Sequence, residues 1–379
     1  MSQNFYIGLL QCTHLIAAGN GCGAGPLATA PTDQPFWSFH MNKHLIALAA
    51  VATLATSGAA LAQSSTVTLY GRVDLSVGKE ETGVGAAKTS KTQMFDNNFT
   101  TSRWGMRGTE DLGSGLKANF NFEAAINPTS GASTGFSRQS WVGLSGDFGA
   151  VKLGKTDSVY KDVFDSGVAN NLFDTEFTPY KIAYVGVSNF TSRPNNQIRY
   201  DSPNFSGLTA GVTYAFEDTS TVGSPKTTAL SLRYRAGPMD IGYSNQKQDY
   251  TPTTPPAAAA PGDRTYNVVV ASYNFGAVKA SGQYQTAKQS AGGTDNEYAL
   301  GLAVPLGAFE VSAGLSNGKS KNNAGATISK GKAYAFGATY TLSKRTRLYG
   351  ALMTGDVKNA AGTKTADRTL YAVGVRHDF

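Results

Sequence analysis

Residues 370–379 read LYAVGVRHDF, and the alternation inside this stretch decides the fold. Side chains of an extended strand point to opposite faces in turn, so Tyr371, Val373, Val375, His377 and Phe379 share one face. Leu370, Ala372, Gly374, Arg376 and Asp378 share the other. A large aromatic residue at the last position is unusual for a chain end in water, where termini fray. Something apolar is expected to meet that face.

Composition narrows what that is. The chain has 43 Gly, 18 Tyr and 19 Phe, 16% charged residues and a mean hydropathy of -0.23. A helical membrane protein would need several apolar runs of about 20 residues, and the sequence holds one apolar run, near its front. There MNKHLIALAAVATLATSGAALAQSS (41–65) combines Lys43, an apolar stretch from Leu45 to Leu54, and the small-x-small pattern Ala60-Leu61-Ala62. This is the pattern of a secretory signal, expected over 41–62 with a mature start at Gln63. Residues 1–40 precede a signal that works only near a free N-terminus; they are expected to be an extension upstream of a true start at Met41. Cys12 and Cys22 both fall there. The rest of the chain has no thiol, which removes disulfide frameworks, cysteine nucleophiles and thiolate metal sites. Residues 1–62 contain one cation, Lys43, and one anion, Asp33, so the remainder keeps the net charge of +7. For an exported protein this favours small anions and anionic surfaces as partners, not nucleic acid.

From Thr66 onward one unit recurs: roughly ten alternating residues, then a turn or a polar loop. TVTLYGRVDLSV puts Val67, Leu69, Gly71, Val73, Leu75 and Val77 on one face and Thr66, Thr68, Tyr70, Arg72, Asp74 and Ser76 on the other. GLKANFNFEAA sets Leu116, Ala118, Phe120, Phe122 and Ala124 against Lys117, Asn119, Asn121 and Glu123. No comparable stretch keeps a period of 3.6. Sixteen such runs are expected, at 66–78, 100–109, 115–125, 136–145, 149–156, 196–202, 207–217, 228–236, 238–245, 264–275, 277–286, 296–304, 307–316, 332–342, 345–354 and 368–379. Tight turns such as AGPM, NFGA and VPLGA alternate with longer polar loops such as KQDYTPTTPPAAAAPGDR. An even strand count with short turns at one rim and long loops at the other is the pattern of an all-β, sixteen-stranded antiparallel transmembrane barrel over 63–379. Closure leaves no strand edge in lipid, and the terminal aromatic face then meets the membrane.

Other classes fit less well. A soluble β-sandwich would alternate equally, but needs neither sixteen strands nor one-sided loop lengths. A barrel enzyme needs an activated nucleophile, commonly a Ser with a His base, and the only histidine after residue 62 is His377, on the apolar face of the last strand. No cofactor or metal is expected: carboxylates alone would have to build a zinc site, and GVGAAK and DLGSGLK lack the strand-loop-helix setting of a phosphate loop. An adhesin or structural barrel without channel activity is the remaining alternative. Strand number discriminates, since eight-stranded barrels are filled by side chains and sixteen strands leave an aqueous lumen.

VTLYGRVDLSV, SRWGMRGTEDLGSGLKANFNFE, FSRQSWVGLSGDFGAVKLGK, RYDSPNFSGLTAGVTYAF and the terminal VGVRHDF together resemble the general porins of β-proteobacteria, of the neisserial and Burkholderia or Bordetella type. The resemblance spans essentially all of 63–379. It implies a Gram-negative outer-membrane diffusion channel for ions and small hydrophilic solutes, a homotrimer surrounded by outer-membrane lipid and lipopolysaccharide, with a long third loop folded into each pore. It also implies that the last strand, through Tyr371, Val373, Val375 and Phe379, is the signal read by the barrel-assembly machinery.

One connection stands out. About forty residues, DSVYKDVFDSGVANNLFDTEFTPYKIAYVGVSNFTSRPN (157–195), separate two strands, and connections this long are usually functional or disordered. Val159, Tyr160, Phe164, Leu172 and Phe173 give it apolar anchors; Asp157, Asp162, Asp165, Asp174 and Glu176 give it negative charge. Arg72, Arg103, Arg107 and Arg199 fall on the polar, lumen-facing parity of their strands, while the parity of Arg138 is open. Facing an acidic loop, such arginines would set a transverse field and select ions by charge, with an expected preference for anions. The resemblance points to Arg103 and Arg138 as members of the basic cluster, to Arg199 or Arg193 as the third, and to Arg72 as a further member.

Overall fold

Each strand of the sheet is antiparallel to its neighbours, and the first pairs with the last. The computed structural model describes residues 65–168, 173–217, 224–250, 262–290 and 292–379. The expected extension (1–40), signal segment (41–62) and mature start at Gln63 lie outside the described residues, as does Leu172. The strands are β1 (Ser65–Thr82), β2 (Thr89–Asp96), β3 (Arg103–Gly113), β4 (Leu116–Asn127), β5 (Ala132–Ser133), β6 (Gln139–Gly146), β7 (Gly149–Lys155), β8 (Gln197–Asp201) and β9 (Leu208–Ala215). They continue as β10 (Lys226–Ala236), β11 (Met239–Asp249), β12 (Arg264–Asn274), β13 (Lys279–Gln289), β14 (Thr294–Leu306), β15 (Phe309–Lys321), β16 (Thr327–Thr341), β17 (Thr346–Asn359) and β18 (Lys364–Asp378). β1 pairs with β18 from Arg72↔Asp378 to Thr82↔Arg368, which closes the barrel.

These eighteen segments make sixteen staves. β2 pairs with β1 over Leu75–Thr82 and β3 pairs with β1 over Ser65–Arg72, so the two are halves of one stave. β5 touches only Ile126 and Asn127 at the end of β4. The second stave breaks at 97–102, where Asn97 adopts a left-handed φ of 63°. Asp74 holds the break, accepting from the backbone N–H groups of Phe99 at 2.7 Å and Thr100 at 2.8 Å and from the Tyr349 hydroxyl at 2.6 Å. A strand beginning at residue 100, as expected from alternation, is therefore corrected to one beginning at Arg103, with Phe99 turned into the lumen and fully buried.

Several strands also run farther toward the long-loop rim than their apolar pattern suggests: β1 reaches Thr82, β15 reaches Lys321 and β17 reaches Asn359. Backbone pairing needs no apolar side chains, so the ladder continues in water after the lipid-facing pattern ends.

Parity decides what each residue meets. Val67, Leu69 and Val77 of β1 are exposed on the outside, whereas Asp74 and Ser76 are buried inside. In β14, Tyr298, Leu300 and Leu302 face out and Asp295, Glu297 and Ala299 face in. Aromatic rings border the apolar wall at both ends: Phe309 and Tyr340 pack with tilted rings, centroids 4.5 Å apart, near the short turns, and Tyr284 stands opposite Tyr298 nearer the long loops. At the seam Phe379 and Gly71 exchange both backbone hydrogen bonds, at 3.0 and 3.1 Å. The Phe379 ring occupies the space where a Gly71 side chain would begin, 2.2 Å from an ideal Cβ.

Candidate functional site

Residues 156–196 make the third connection at the long-loop rim, and those of them that the structure describes fold inward. α1 (Val159–Phe164) starts at Ser158, whose Oγ accepts from the Lys161 N–H at 3.2 Å. Its apolar side, Val159, Tyr160, Val163 and Phe164, packs with Tyr266, Val268, Val270 and Ala287 on the inner wall. Farther along, Phe173 and Phe177 join Phe99, Tyr349, Met353 and Leu370 in a second internal cluster. α2 (Tyr180–Ala183) then lies against β15, β16 and β17. The close approach is made possible by missing side chains: a Cβ on Gly331 or Gly318 would fall 2.2 or 2.3 Å from the Ala183 carbonyl oxygen.

Polar anchors fix the same segment. Glu297 accepts from Val185 N–H at 3.0 Å and from Gln285 Nε2 at 2.8 Å, and the Ser188 hydroxyl also donates to it. Asp295 accepts from Val187 N–H at 2.6 Å. Arg199 is buried behind α1, donating to the Asp157 carbonyl at 2.8 Å and pairing with both Asp162 and Asp201. Glu176 pairs with Lys181 at 3.1 Å and Arg368 at 2.8 Å. Burial acts against the Glu176 carboxylate, but the two cations prevail and hold its pKa below the ordinary glutamate value. Burial likewise acts against the Lys161 ammonium, and the carboxylates of Asp165 and Asp157 outweigh it, raising its pKa.

Between this segment and the β3–β6 wall lies a cavity of about 600 Å³. Arg103, Arg138, Lys161, Lys181 and Arg193 line it, together with Glu123, Asp157, Asp165 and Asp174. Five cations thus face four carboxylates. On the wall, Arg138 Nε lies 2.6 Å from Glu123 Oε1 and Arg103 Nε lies 3.6 Å from Oε2, so two arginines share one carboxylate, to which Tyr70 also donates at 3.0 Å. On the loop, Asp157 is 2.7 Å from Arg193, Asp165 pairs with Lys161, and Asp174 accepts from Thr100 Oγ1 at 2.5 Å. Toward the short-turn rim a recess of about 450 Å³ includes Asn121, Arg107 and Lys152, with Lys152 over the Trp141 ring at 5.3 Å. Asn121 borders both spaces.

Of the five arginines that the resemblance assigns to the basic cluster, Arg103, Arg138 and Arg193 reach the cavity. Arg199 does not: it anchors α1 from behind. Arg72 is also elsewhere, pairing with Asp378 at 2.6 Å and donating to Thr100. Of the five acids, Asp157, Asp165 and Asp174 line the cavity, while Asp162 and Glu176 are held to Arg199 and Arg368. The connection is not a purely acidic face, since it contributes Lys161, Lys181 and Arg193 beside its carboxylates. Glu123 went unnoticed as a site residue, although its lumen parity next to Arg103 was the signal for it.

Comparison with known proteins agrees with the closed sixteen-stave barrel. Residues 47–360 match the family described as Gram-negative porin. The chain belongs to that family. This porin is 36% identical over 358 residues to outer membrane porin protein 32 of Delftia acidovorans, with 89% of this chain and 95% of the relative covered. It is 29% identical to the major outer membrane protein P.IB of Neisseria meningitidis serogroup B, covering 89% of this chain and all of the relative. Among solved structures, an anion-selective porin from Comamonas acidovorans superposes with a TM-score of 0.67 at 32% identity, covering 83% of this chain and 100% of the other. The trimer form of OmpT from Vibrio cholerae superposes at 0.65 with 16% identity, a likeness of fold alone. The protein is an outer-membrane diffusion porin, passing ions and small hydrophilic solutes through a water-filled barrel.

Proposed function

We propose that the segment 156–196 constricts this porin and that the cavity it borders makes the channel anion-preferring. The observation that carries this is Glu123: one carboxylate serves both Arg103 and Arg138, leaving positive charge in the cavity that the segment borders. A Debye length of about 8 Å at physiological salt lets such a cluster act across much of a constriction. The anion-selective relative at 32% identity supports the same sign. Transport is passive, by diffusion past fixed charges, and no catalytic step is assigned.

The working unit is a homotrimer joined through the apolar outer flank of the first and last strands, where Val67, Leu69, Val373 and Val375 are exposed in the single chain. Tyr371, Val373, Val375 and Phe379 present the outward face of β18 to the assembly machinery during insertion. Unheated detergent gels are expected to show a band near three times the monomer mass.

Selectivity is tested by the zero-current potential of the purified protein in a planar bilayer under a tenfold KCl gradient. Its sign is expected to be that of chloride permeation; a potassium-selective sign would overturn the anion reading while leaving the channel intact.

A further inference from the structure

We propose that the recess on the lumen wall, between the cavity and the short-turn rim, is a binding site for an anionic monosaccharide. Arg107 holds the anionic group, and Asn119, Asn121 and Trp141 hold the sugar. The inference rests on the barrel being a diffusion channel and not on the sign of selectivity at the cavity. Two rows of the sheet build the site. Thr68, Arg107, Asn121 and Trp141 stand side by side across β1, β3, β4 and β6. One row nearer the short turns come Thr66, Thr109, Asn119, Gly143 and Lys152. The recess is hollow because its floor lacks side chains: Gly143 is followed on the same face by Ser145, which pairs with Ala150. A Cβ on Gly143 would fall 2.2 Å from the Val151 carbonyl oxygen.

Arg107 is the lumen-parity arginine that the constriction does not use. Arg72, Arg103, Arg138, Arg193 and Arg199 each have a carboxylate partner. Among the described residues Arg107 forms no ion pair; it is exposed, with its guanidinium 5.1 Å from the centre of the Tyr70 ring. No described carboxylate lines the recess. Lys152 also borders it, but Asp201 at 3.0 Å shares that charge. Arg107 is therefore the anchor for an external anion, and its planar fork matches a carboxylate or a phosphate with two hydrogen bonds. It stands four residues beyond Arg103 on the same face of β3, roughly 14 Å farther along the pore.

The rest of the wall selects the class of anion. Asn121 accepts from the Tyr70 hydroxyl at 2.9 Å through Oδ1, which leaves its amide N–H groups for a ligand. Asn119 is oriented by its neighbours, accepting from Thr109 at 3.0 Å and donating to Ser145 at 2.9 Å. The Thr66 and Thr68 side chains are exposed beside them. Amides and hydroxyls in adjacent rows both donate and accept, as the neighbouring hydroxyls of a sugar do. The Trp141 Nε1 donates to Gln139 at 3.0 Å, so the polar edge of the indole is already used and its half-buried ring offers an apolar side to the C–H face of a pyranose. A volume of about 450 Å³ falls in the range of about 300–1,000 Å³ typical of small-ligand sites. Chloride or inorganic phosphate would engage Arg107 and leave the amides and the indole unused. A monosaccharide bearing one anionic group, a sugar phosphate or a uronate, engages all of them.

The test records chloride current through the purified full barrel in planar bilayers while glucose 6-phosphate, glucuronate, glucose or inorganic phosphate is added on the short-turn side. At least one of the two sugar anions is expected to block the parent at a concentration about tenfold below that needed for glucose or for inorganic phosphate; which of the two does so identifies the anionic group. A hydrogen-bonded charge is worth enough that Arg107→Gln should weaken the sugar-anion block on the order of tenfold or more. Trp141→Leu should weaken the sugar-anion block and leave the effect of inorganic phosphate unchanged, while Arg345→Gln, in the short turn after β16, should behave like the parent. Sugar anions that block no better than glucose or inorganic phosphate, or an undiminished block in both Arg107→Gln and Trp141→Leu, would overturn the proposal. A potassium-selective zero-current potential with the sugar-anion block intact would overturn the anion reading of the cavity and leave this site standing, so the two failures are distinguishable.

Discussion

Glu123 lies 2.6 Å from Arg138 across two adjacent staves, and the same carboxylate is the partner of Arg103. The pair is enclosed by wall and loop, so its charge is poorly screened. Replacing Glu123 with Gln keeps the shape and a hydrogen-bond acceptor while removing the one negative charge on the wall of the cavity. Glu123→Gln is expected to move the zero-current potential further toward anion preference than in the parent. Unfolding temperature should fall modestly, since two arginines lose their counter-ion.

The constriction depends on backbone contact as well as charge. A side chain at Gly331 would meet the Ala183 carbonyl, so Gly331→Val is expected to push α2 off the wall. Overpacking of this kind costs about 1–3 kcal/mol. Single-channel recording should show larger and noisier conductance than the parent, with the barrel still folded by circular dichroism.

Acid should loosen the same segment from another side. The Glu176 carboxyl has a pKa below its ordinary value because of Lys181 and Arg368. A carboxylate whose pKa is depressed in the folded state stabilises fully above its unfolded value and loses that contribution as pH falls through the folded value. Open-channel noise is therefore expected to stay flat from pH 7 to about pH 4.5 and to rise below it. In Glu176→Gln the noise should already be raised at pH 7 and change less with acid; an identical acid response in both proteins would count against this contact.

The seam offers a test of insertion. Phe379 and Gly71 close the ladder by two hydrogen bonds, and the ring lies on the glycine. Deleting Phe379 is expected to leave export intact while lowering the amount of folded protein in the outer membrane. Gly71→Val, which displaces the ring but keeps it, should lower the yield less. Normal outer-membrane levels of the truncated chain would contradict the role given to the last strand.

Much of this architecture was legible in the sequence because a barrel wall separates two solvents, and each strand must alternate to satisfy both. That is why Val67, Leu69 and Val77 could be set apart from Asp74 and Ser76 before any coordinates. The alternation carries no information above the lipid, so the ends of β15 and β17 were missed, and the break at Asn97 depends on hydrogen bonds from residues 25 positions away. The position of the inward connection followed from its length. Its pairings did not: Arg199 has lumen parity, but α1 folds over it and takes it out of the cavity, a contact set by tertiary packing. Lys161 and Lys181 were plain in the sequence, yet only the folded loop shows that they reach the same space as Arg103 and Arg138.

The central claim is that selectivity resides in the few charges around the cavity and not in the net charge of the protein. Arg103→Glu with Arg138→Glu should be compared with Lys344→Glu with Arg345→Glu in the short turn after β16, each pair replacing two cations by two anions. Zero-current potential is measured for both in planar bilayers under a tenfold KCl gradient. The cavity pair is expected to swing toward cation preference while the turn pair stays near the parent. Equal shifts in the two variants would contradict the claim that these arginines form the filter.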